Sequence, residues 1–214
     1  AAINIETTYN TLTSTDSYEP FEGIVLTDTF QLAEDGDPMD AVFFPSNNAR
    51  ADHQKGLDIR VIVGNPPYSV GQSSQNDDNQ NLAYPTLDKS IAATYAKRST
   101  ATLKNSLYDS YIRAIRWASN RIRTSPDGGI IGFVSNGGWI DGNTAAGIRL
   151  TLADEFHHVY IYNLRGNQRT SGEQSRKEGG KVFGNGSHNT VAITLLVRQR
   201  GPPPAGDDQI HYRE

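Results

Sequence analysis

The stretch Ile59-Arg60-Val61-Ile62-Val63-Gly64-Asn65-Pro66-Pro67-Tyr68 decides how the rest of the chain is read. Its first five residues are β-branched at every position but Arg60. That texture predicts a buried strand of a parallel sheet. The strand runs straight into two consecutive prolines, which remove two backbone donors and force an extended course at its carboxyl end. Open α/β sheets bind their ligands at that edge. An amide oxygen from Asn65 and the carbonyl oxygen of Pro66 match the two N–H groups of an exocyclic amine. Tyr68 adds a flat face for stacking on a ring, worth roughly 1–3 kcal/mol per base. The plainer alternative is a rigid Pro-Pro turn that closes a strand.

Working outward, residues 1–12 read as the end of a helix and Ile24–Leu26 as a brief strand with an exit turn. Residues 33–55 are acidic and carry Pro38 and Pro45, so they read as loop. Polar residues 69–83 form another loop, and Leu87–Tyr95 a short helix. Residues 106–123 are the clearest helix. Leu107, Tyr111, Ile115, Ala118 and Ile122 recur at helical spacing, with Arg113, Arg116 and Arg123 on the other faces. Strands follow at Ile130–Val134, Val159–Tyr162 and Val191–Val197, with a helix at Thr144–Phe156 between the first two. Ser135-Asn136-Gly137-Gly138 reads as a turn, residues 163–189 as a long polar loop, and Pro202-Pro203-Pro204 as a terminus or linker. Strands alternating with helices predict an α/β domain with a largely parallel sheet.

With 214 residues, the chain is long enough for one sizeable core or two small ones. It has no cysteine, which excludes a disulfide scaffold, and no apolar run long enough to span a membrane. Its five histidines show no metal-ligand spacing, so no metal is expected. Net charge is −4, but it is unevenly spread. Residues 1–59 carry 11 acids against Arg50 and Lys55, a balance of −9, whereas residues 60–214 have a balance of +5. A polyanion, if bound, would meet the second part; two solvated faces of different sign would look the same.

The strand-NPPY unit resembles the hallmark of amino-methyltransferases dependent on S-adenosylmethionine. Tyr18-Glu19-Pro20-Phe21, Gly23–Phe30, Leu107–Arg113, Gly137-Gly138-Trp139-Ile140-Asp141-Gly142 and Asn163-Leu164-Arg165-Gly166-Asn167 are similar to the methyltransferase region of type ISP restriction–modification enzymes. In that family a nuclease, a helicase-like ATPase, a methyltransferase and a target-recognition domain share one polypeptide. The resemblance implies S-adenosylmethionine-dependent methylation of the exocyclic amino group of adenine in double-stranded DNA. The adenine would be flipped out of the helix stack, in a cytoplasmic bacterial enzyme. It implies that Asn65, Pro66, Pro67 and Tyr68 carry the catalytic corner, and that Phe183 stacks on the base or is an ordinary loop anchor. Asp28, Phe30 and Asn65 would border the cofactor, Asp28 being otherwise a turn-forming residue. Arg165, Arg169, Arg176, Lys177 and Lys181 would contact DNA phosphate or be solvated.

One departure bears on the fold. The family carries a Gly-rich turn after its first strand; Gly184-Asn185-Gly186 lacks the third glycine and precedes a strand. The chain also begins Ala-Ala-Ile-Asn, without Met. The expectation is a partial Rossmann-like methyltransferase fold lacking the first two strands, within a longer polypeptide. Residues 1–58 would hold the third strand and the acidic loop, 59–200 the target-base half, and 201–214 a linker or terminus. A protein-glutamine or ribosomal-RNA amino-methyltransferase uses the same corner, and a non-catalytic DNA- or partner-binding module is a third possibility.

Overall fold

The computed structural model describes residues 2–13, 18, 20–31, 34, 44–67, 83–167, 173, 176, 178, 190–204 and 209–214. The chain divides into two compact units, Ala1–Leu57 and Asp58–Glu214.

In the first unit, helix α1 spans Ala2–Thr13 and helix α2 spans Pro45–Gly56. Ile24–Leu26, expected as a strand, is not one. Its backbone groups are taken by side chains of α2 instead. The Asn47 amide accepts from Leu26 N at 2.7 Å and donates to Leu26 O at 2.8 Å, and Arg50 Nε donates to Ile24 O at 3.2 Å. A side-chain amide that satisfies both backbone groups of one residue does locally what a neighbouring strand would do. Helix α2 also replaces much of the expected loop at 33–55. Pro45 sits in its first turn, where a missing N–H costs nothing. On α1, Glu6 accepts from the Tyr18 hydroxyl at 2.6 Å and from Phe21 N at 2.9 Å. Among the described residues of this unit only Ala51 is buried, and α1 exposes Ile3, Ile5, Tyr9 and Leu12.

In the second unit, strand β1 (Val61–Gly64) is followed by helix α3 (Pro85–Ile91), which continues as a π-helical turn over Ala92–Ala96. Helix α4 (Ser110–Arg123) leads to β2 (Gly129–Asn136), then helix α5 (Ala146–Glu155) and strands β3 (His158–Arg165), β4 (Val191–Arg198) and β5 (Ile210–Arg213). The sheet order is β1-β2-β4-β3-β5. The β1–β2 and β3–β5 pairs are parallel, whereas β4 runs antiparallel to both β2 and β3. The sheet is therefore mixed rather than largely parallel, because β4 enters between two strands that precede it in sequence. Residues 201–214, expected as a linker or terminus, include strand β5. It pairs with β3 in the register Val159↔Ile210.

Burial follows the period of two that a sheet imposes. Ile131, Phe133, Val159, Ile161, Ala192, Thr194 and Leu196 point into the core; Ile130, Tyr160, Tyr162, Ile193 and Leu195 are exposed. Leu87, Ile91, Ile112, Ile115, Ile122, Ile148 and Leu152 bring the apolar stripes of α3, α4 and α5 into that core. Strand β1 differs from its expected burial: Val61 and Val63 are 61% and 77% exposed, and among the described strands β1 pairs with β2 at the edge of the sheet. Gly128, with φ +81°, makes the turn into β2; a Cβ there would lie 2.1 Å from the Arg198 carbonyl oxygen.

Arg116 also departs from expectation. It is fully buried, donating from Nη2 to both Glu155 oxygens at 3.2 and 2.9 Å and from Nε to Asn120 Oδ1 at 2.9 Å. Its guanidinium lies 5.3 Å from the centre of the buried Tyr95 ring. A charge survives burial when it is paired and hydrogen-bonded in this way.

Among the described residues no helix is long and apolar enough to cross a membrane.

Candidate functional site

Parallel pairing in the register Gly64↔Phe133 brings the carboxyl ends of β1 and β2 to one edge of the sheet. Asn65, Pro66 and Pro67 leave β1 there. Pro66 is buried, while Asn65 and Pro67 are exposed, so one ring anchors the turn and the amide faces outward. Tyr68 and Phe183 lie outside the described residues, as do Arg169, Lys177 and Lys181.

Asp28 and Phe30 belong to the first unit. Asp28 Oδ1 accepts from Phe30 N at 2.9 Å, a local Asx turn. Arg165 ends β3 with φ 58° and pairs with Glu214, so that guanidinium already has an anionic partner within the chain. Arg176 is exposed.

At the carboxyl ends of β2 and β3 lies a cavity of about 320 Å³. This is within the size range of small-ligand pockets, roughly 300–1,000 Å³. Asp109, Tyr111, Asn136, Asp141, Asn163 and Glu178 are among its walls, and no Lys or Arg lines it among the described residues. Local structure explains how the first three arrive. Asp109 is the N-cap residue of α4, and Tyr111 sits in the first turn of that helix. Asn136 is the last residue of β2, and its Oδ1 accepts from Gly138 N at 2.7 Å, which folds the chain back after the strand.

Tyr111 and Asn136 are each only 5% exposed. Burial and the nearby Asp109 charge raise the Tyr111 hydroxyl well above its usual range. Burial pushes the Asp109 carboxyl up to about 6, moderated by Arg113. Arg113 cannot do more, because its guanidinium donates to both oxygens of Asp88 at 2.9 and 2.8 Å. These three residues were missed in the sequence. The available signal was a polar residue ending a buried strand that runs parallel to the first motif strand.

The raised Asp109 carboxyl has a consequence for stability. The folded state favours its protonated form, so this contribution is present below the ordinary value of 3.8 and is lost as pH rises through about 6. At neutral pH the buried charge costs free energy. Asp109→Asn is therefore expected to stabilise the protein by about 1 kcal/mol near pH 7, the shift being discounted for partial exposure to water. Near pH 4 it should change little. Thermal unfolding at the two pH values checks this; equal effects at both would contradict it.

Comparison with solved structures places the chain. It is similar to segments of Type ISP restriction–modification enzymes. The first is a nuclease-deletion mutant of the Type ISP restriction–modification enzyme LlaGI in complex with a DNA substrate mimic, at 51% identity and TM-score 0.87, covering 100% of this chain and 17% of that one. The second is the ATP-dependent Type ISP enzyme LlaBIII bound to DNA, at 42% identity and TM-score 0.88, covering 99% of this chain and 14% of that one. A DrdV–DNA complex solved by electron cryo-microscopy matches at 40% identity and TM-score 0.83, covering 100% of this chain and 20% of that one. No family model and no curated protein matches. The chain is thus homologous to parts of Type ISP restriction–modification enzymes, and it spans one fifth or less of the length of the structures it matches.

Proposed function

We propose that this chain supplies the base-holding half of a methyltransferase that modifies the exocyclic amino group of adenine in DNA, within a restriction–modification polypeptide. The observation that carries the reading is the Asn65-Pro66-Pro67 corner at the carboxyl edge of two parallel strands, in a chain homologous to segments of enzymes solved with DNA. Asn65 Oδ1 and the Pro66 carbonyl accept the two N–H bonds of the amine. Pro66, buried, keeps that carbonyl from drifting. This geometry favours a tetrahedral nitrogen with its lone pair turned to the methyl donor, and the acceptors stabilise positive charge that develops on nitrogen. Tyr68 and Phe183 stack on the two faces of the ring once it has left the helix.

The cofactor in this reading is S-adenosylmethionine, which supplies an electrophilic methyl group when bound. Of the residues expected to border it, Asp28 and Phe30 form a turn in the first unit, and Asn65 stands exposed at the end of β1 in the second. Arg165, Arg169, Arg176, Lys177 and Lys181 are the candidates for phosphate contact, which positions the duplex without reading sequence. Other parts of the polypeptide, the nuclease, helicase-like ATPase and target-recognition domains, would provide translocation and sequence choice.

A fluorescent base analogue at the target position tests the extrusion step. Its emission should rise when the full-length enzyme binds, and Phe183→Ala should remove most of that rise. An emission unchanged on binding would exclude base flipping into this site.

A further inference from the structure

The chain leaves β3 through an irregular corner. Its pairing with β4 slips between Asn163 and Arg165, where the strand bulges. Arg165 and Gly166 then both take left-handed backbone, with φ 58° and 95°. Glycine adopts that conformation freely, whereas an arginine does so under strain. Such strain persists only where the surroundings over-determine it.

The surroundings are a closed ring of side chains from β3 and β5. Asn163 Oδ1 accepts from Arg165 N at 2.9 Å, and Asn163 Nδ2 donates to the Tyr212 hydroxyl at 2.9 Å. That hydroxyl donates in turn to Glu214 Oε1 at 2.6 Å. Glu214 Oε2 accepts from Arg165 Nη2, which closes the ring. Tyr212 reaches Asn163 because β5 runs parallel to β3 in the register Ile161↔Tyr212. A lone exposed ion pair contributes little. A ring in which each member orients the next fixes its geometry as a unit.

What the ring holds is part of a wall. Strands β1, β2 and β3 point the same way, with β4 opposed, so all three end at one edge of the sheet. Asn163 and Asn167 line the cavity there, together with Glu178, whose carboxylate accepts from Asn167 N at 3.0 Å. The strained pair Arg165-Gly166 lies between these two asparagines in the chain.

We propose that Arg165, Tyr212 and Glu214 form a latch that positions residues 163–167 at the edge of the sheet that carries the Asn65 corner. Arg165 is then a positioning residue, its cation engaged by Glu214 rather than by DNA phosphate. The effect on rate rests on the methyltransferase reading, whereas the latch itself is independent of it.

The test uses the full-length enzyme with Arg165→Met, Tyr212→Phe and Glu214→Ala. Hydrogen exchange should quicken about tenfold or more at the amides of 163–167 in each variant, with those of 159–161 unchanged. The kcat of methyl transfer to DNA should fall about tenfold or more in each, because a displaced wall misaligns the reactants. Combining Arg165→Met with Tyr212→Phe should cost no more than the worse single variant, as for members of one unit. DNA affinity should stay within about twofold, with the same dependence on salt. Weakened DNA binding and a salt slope lower by about 0.9 in Arg165→Met, with the other two variants like wild type, would make Arg165 a phosphate contact and overturn the latch. Wild-type exchange in all three variants overturns it as well, and faster exchange at an unchanged rate overturns the positioning role. A wild-type enzyme that transfers no methyl group to DNA would overturn the methyltransferase reading, and the exchange measurement alone would then decide the latch.

Discussion

Asn65→Ala, in the full-length polypeptide, is expected to lower methyl transfer to DNA by a factor on the order of 10²–10³ or more. The expectation follows from where the side chain stands. Asn65 is exposed at the carboxyl end of β1, on a turn anchored by the buried ring of Pro66. An exposed amide contributes little to the fold, and under the proposed reading its contact with the amine strengthens as charge develops on nitrogen. DNA affinity, set by phosphate contacts elsewhere, should stay within about twofold. Thermal stability should also be unchanged within about 0.5 kcal/mol, as for other exposed substitutions. Initial rates with tritiated cofactor, alongside a DNA-binding titration, check the split. An active Asn65→Ala enzyme would reduce the corner to a Pro-Pro turn.

The second large effect concerns stability rather than chemistry. Glu155→Ala is expected to destabilise the second unit by about 3–5 kcal/mol, because it strands the guanidinium of Arg116 in the core. Arg116 has 0% side-chain exposure and Glu155 only 13%. Asn120 and the Tyr95 ring remain beside the charge but cannot neutralise it. Glu155 also takes Arg123 at 3.3 Å, so one substitution removes the acceptor of two arginines. Replacing Arg116 and Glu155 together by Met and Leu should recover most of the loss, since no buried charge is then left unpaired. Urea unfolding of the single and double variants measures both. A single variant within about 1 kcal/mol of wild type would contradict the assignment.

The parts of this structure legible in the sequence are those whose signal is local. Strand β1 and its Asn-Pro-Pro exit, strands β2 and β4, and helix α4 each announce themselves through β-branched runs or helical spacing. Helix α2 does not, because Pro-Ser-Asn-Asn-Ala-Arg-Ala-Asp-His-Gln-Lys-Gly has no apolar stripe. Ile24–Leu26 looks like a strand by composition, yet its backbone bonds go to Asn47 and Arg50, about twenty or more residues away in sequence. Strand β5 is short, exposed at each position and preceded by three prolines, so only pairing with β3 reveals it.

The same limit applies to the site. The corner at Asn65 is contiguous and was readable. The cavity needs Asp109 and Tyr111 from a helix start and Asn136 from a strand end, brought together by the parallel pairing of β1 and β2 and by α4 packing on the sheet. Arg116 reads as a solvated arginine until Glu155, 39 positions later, is folded against it.

The central claim is that the amine held at Asn65 is that of adenine in DNA. The most direct measurement is digestion of the methylated substrate to nucleosides after reaction of the full-length enzyme with labelled S-adenosylmethionine. The account predicts label in adenine methylated on its exocyclic nitrogen, absent from the Asn65→Ala reaction. Label in cytosine, in RNA or in a glutamine side chain, with none in adenine, would contradict it.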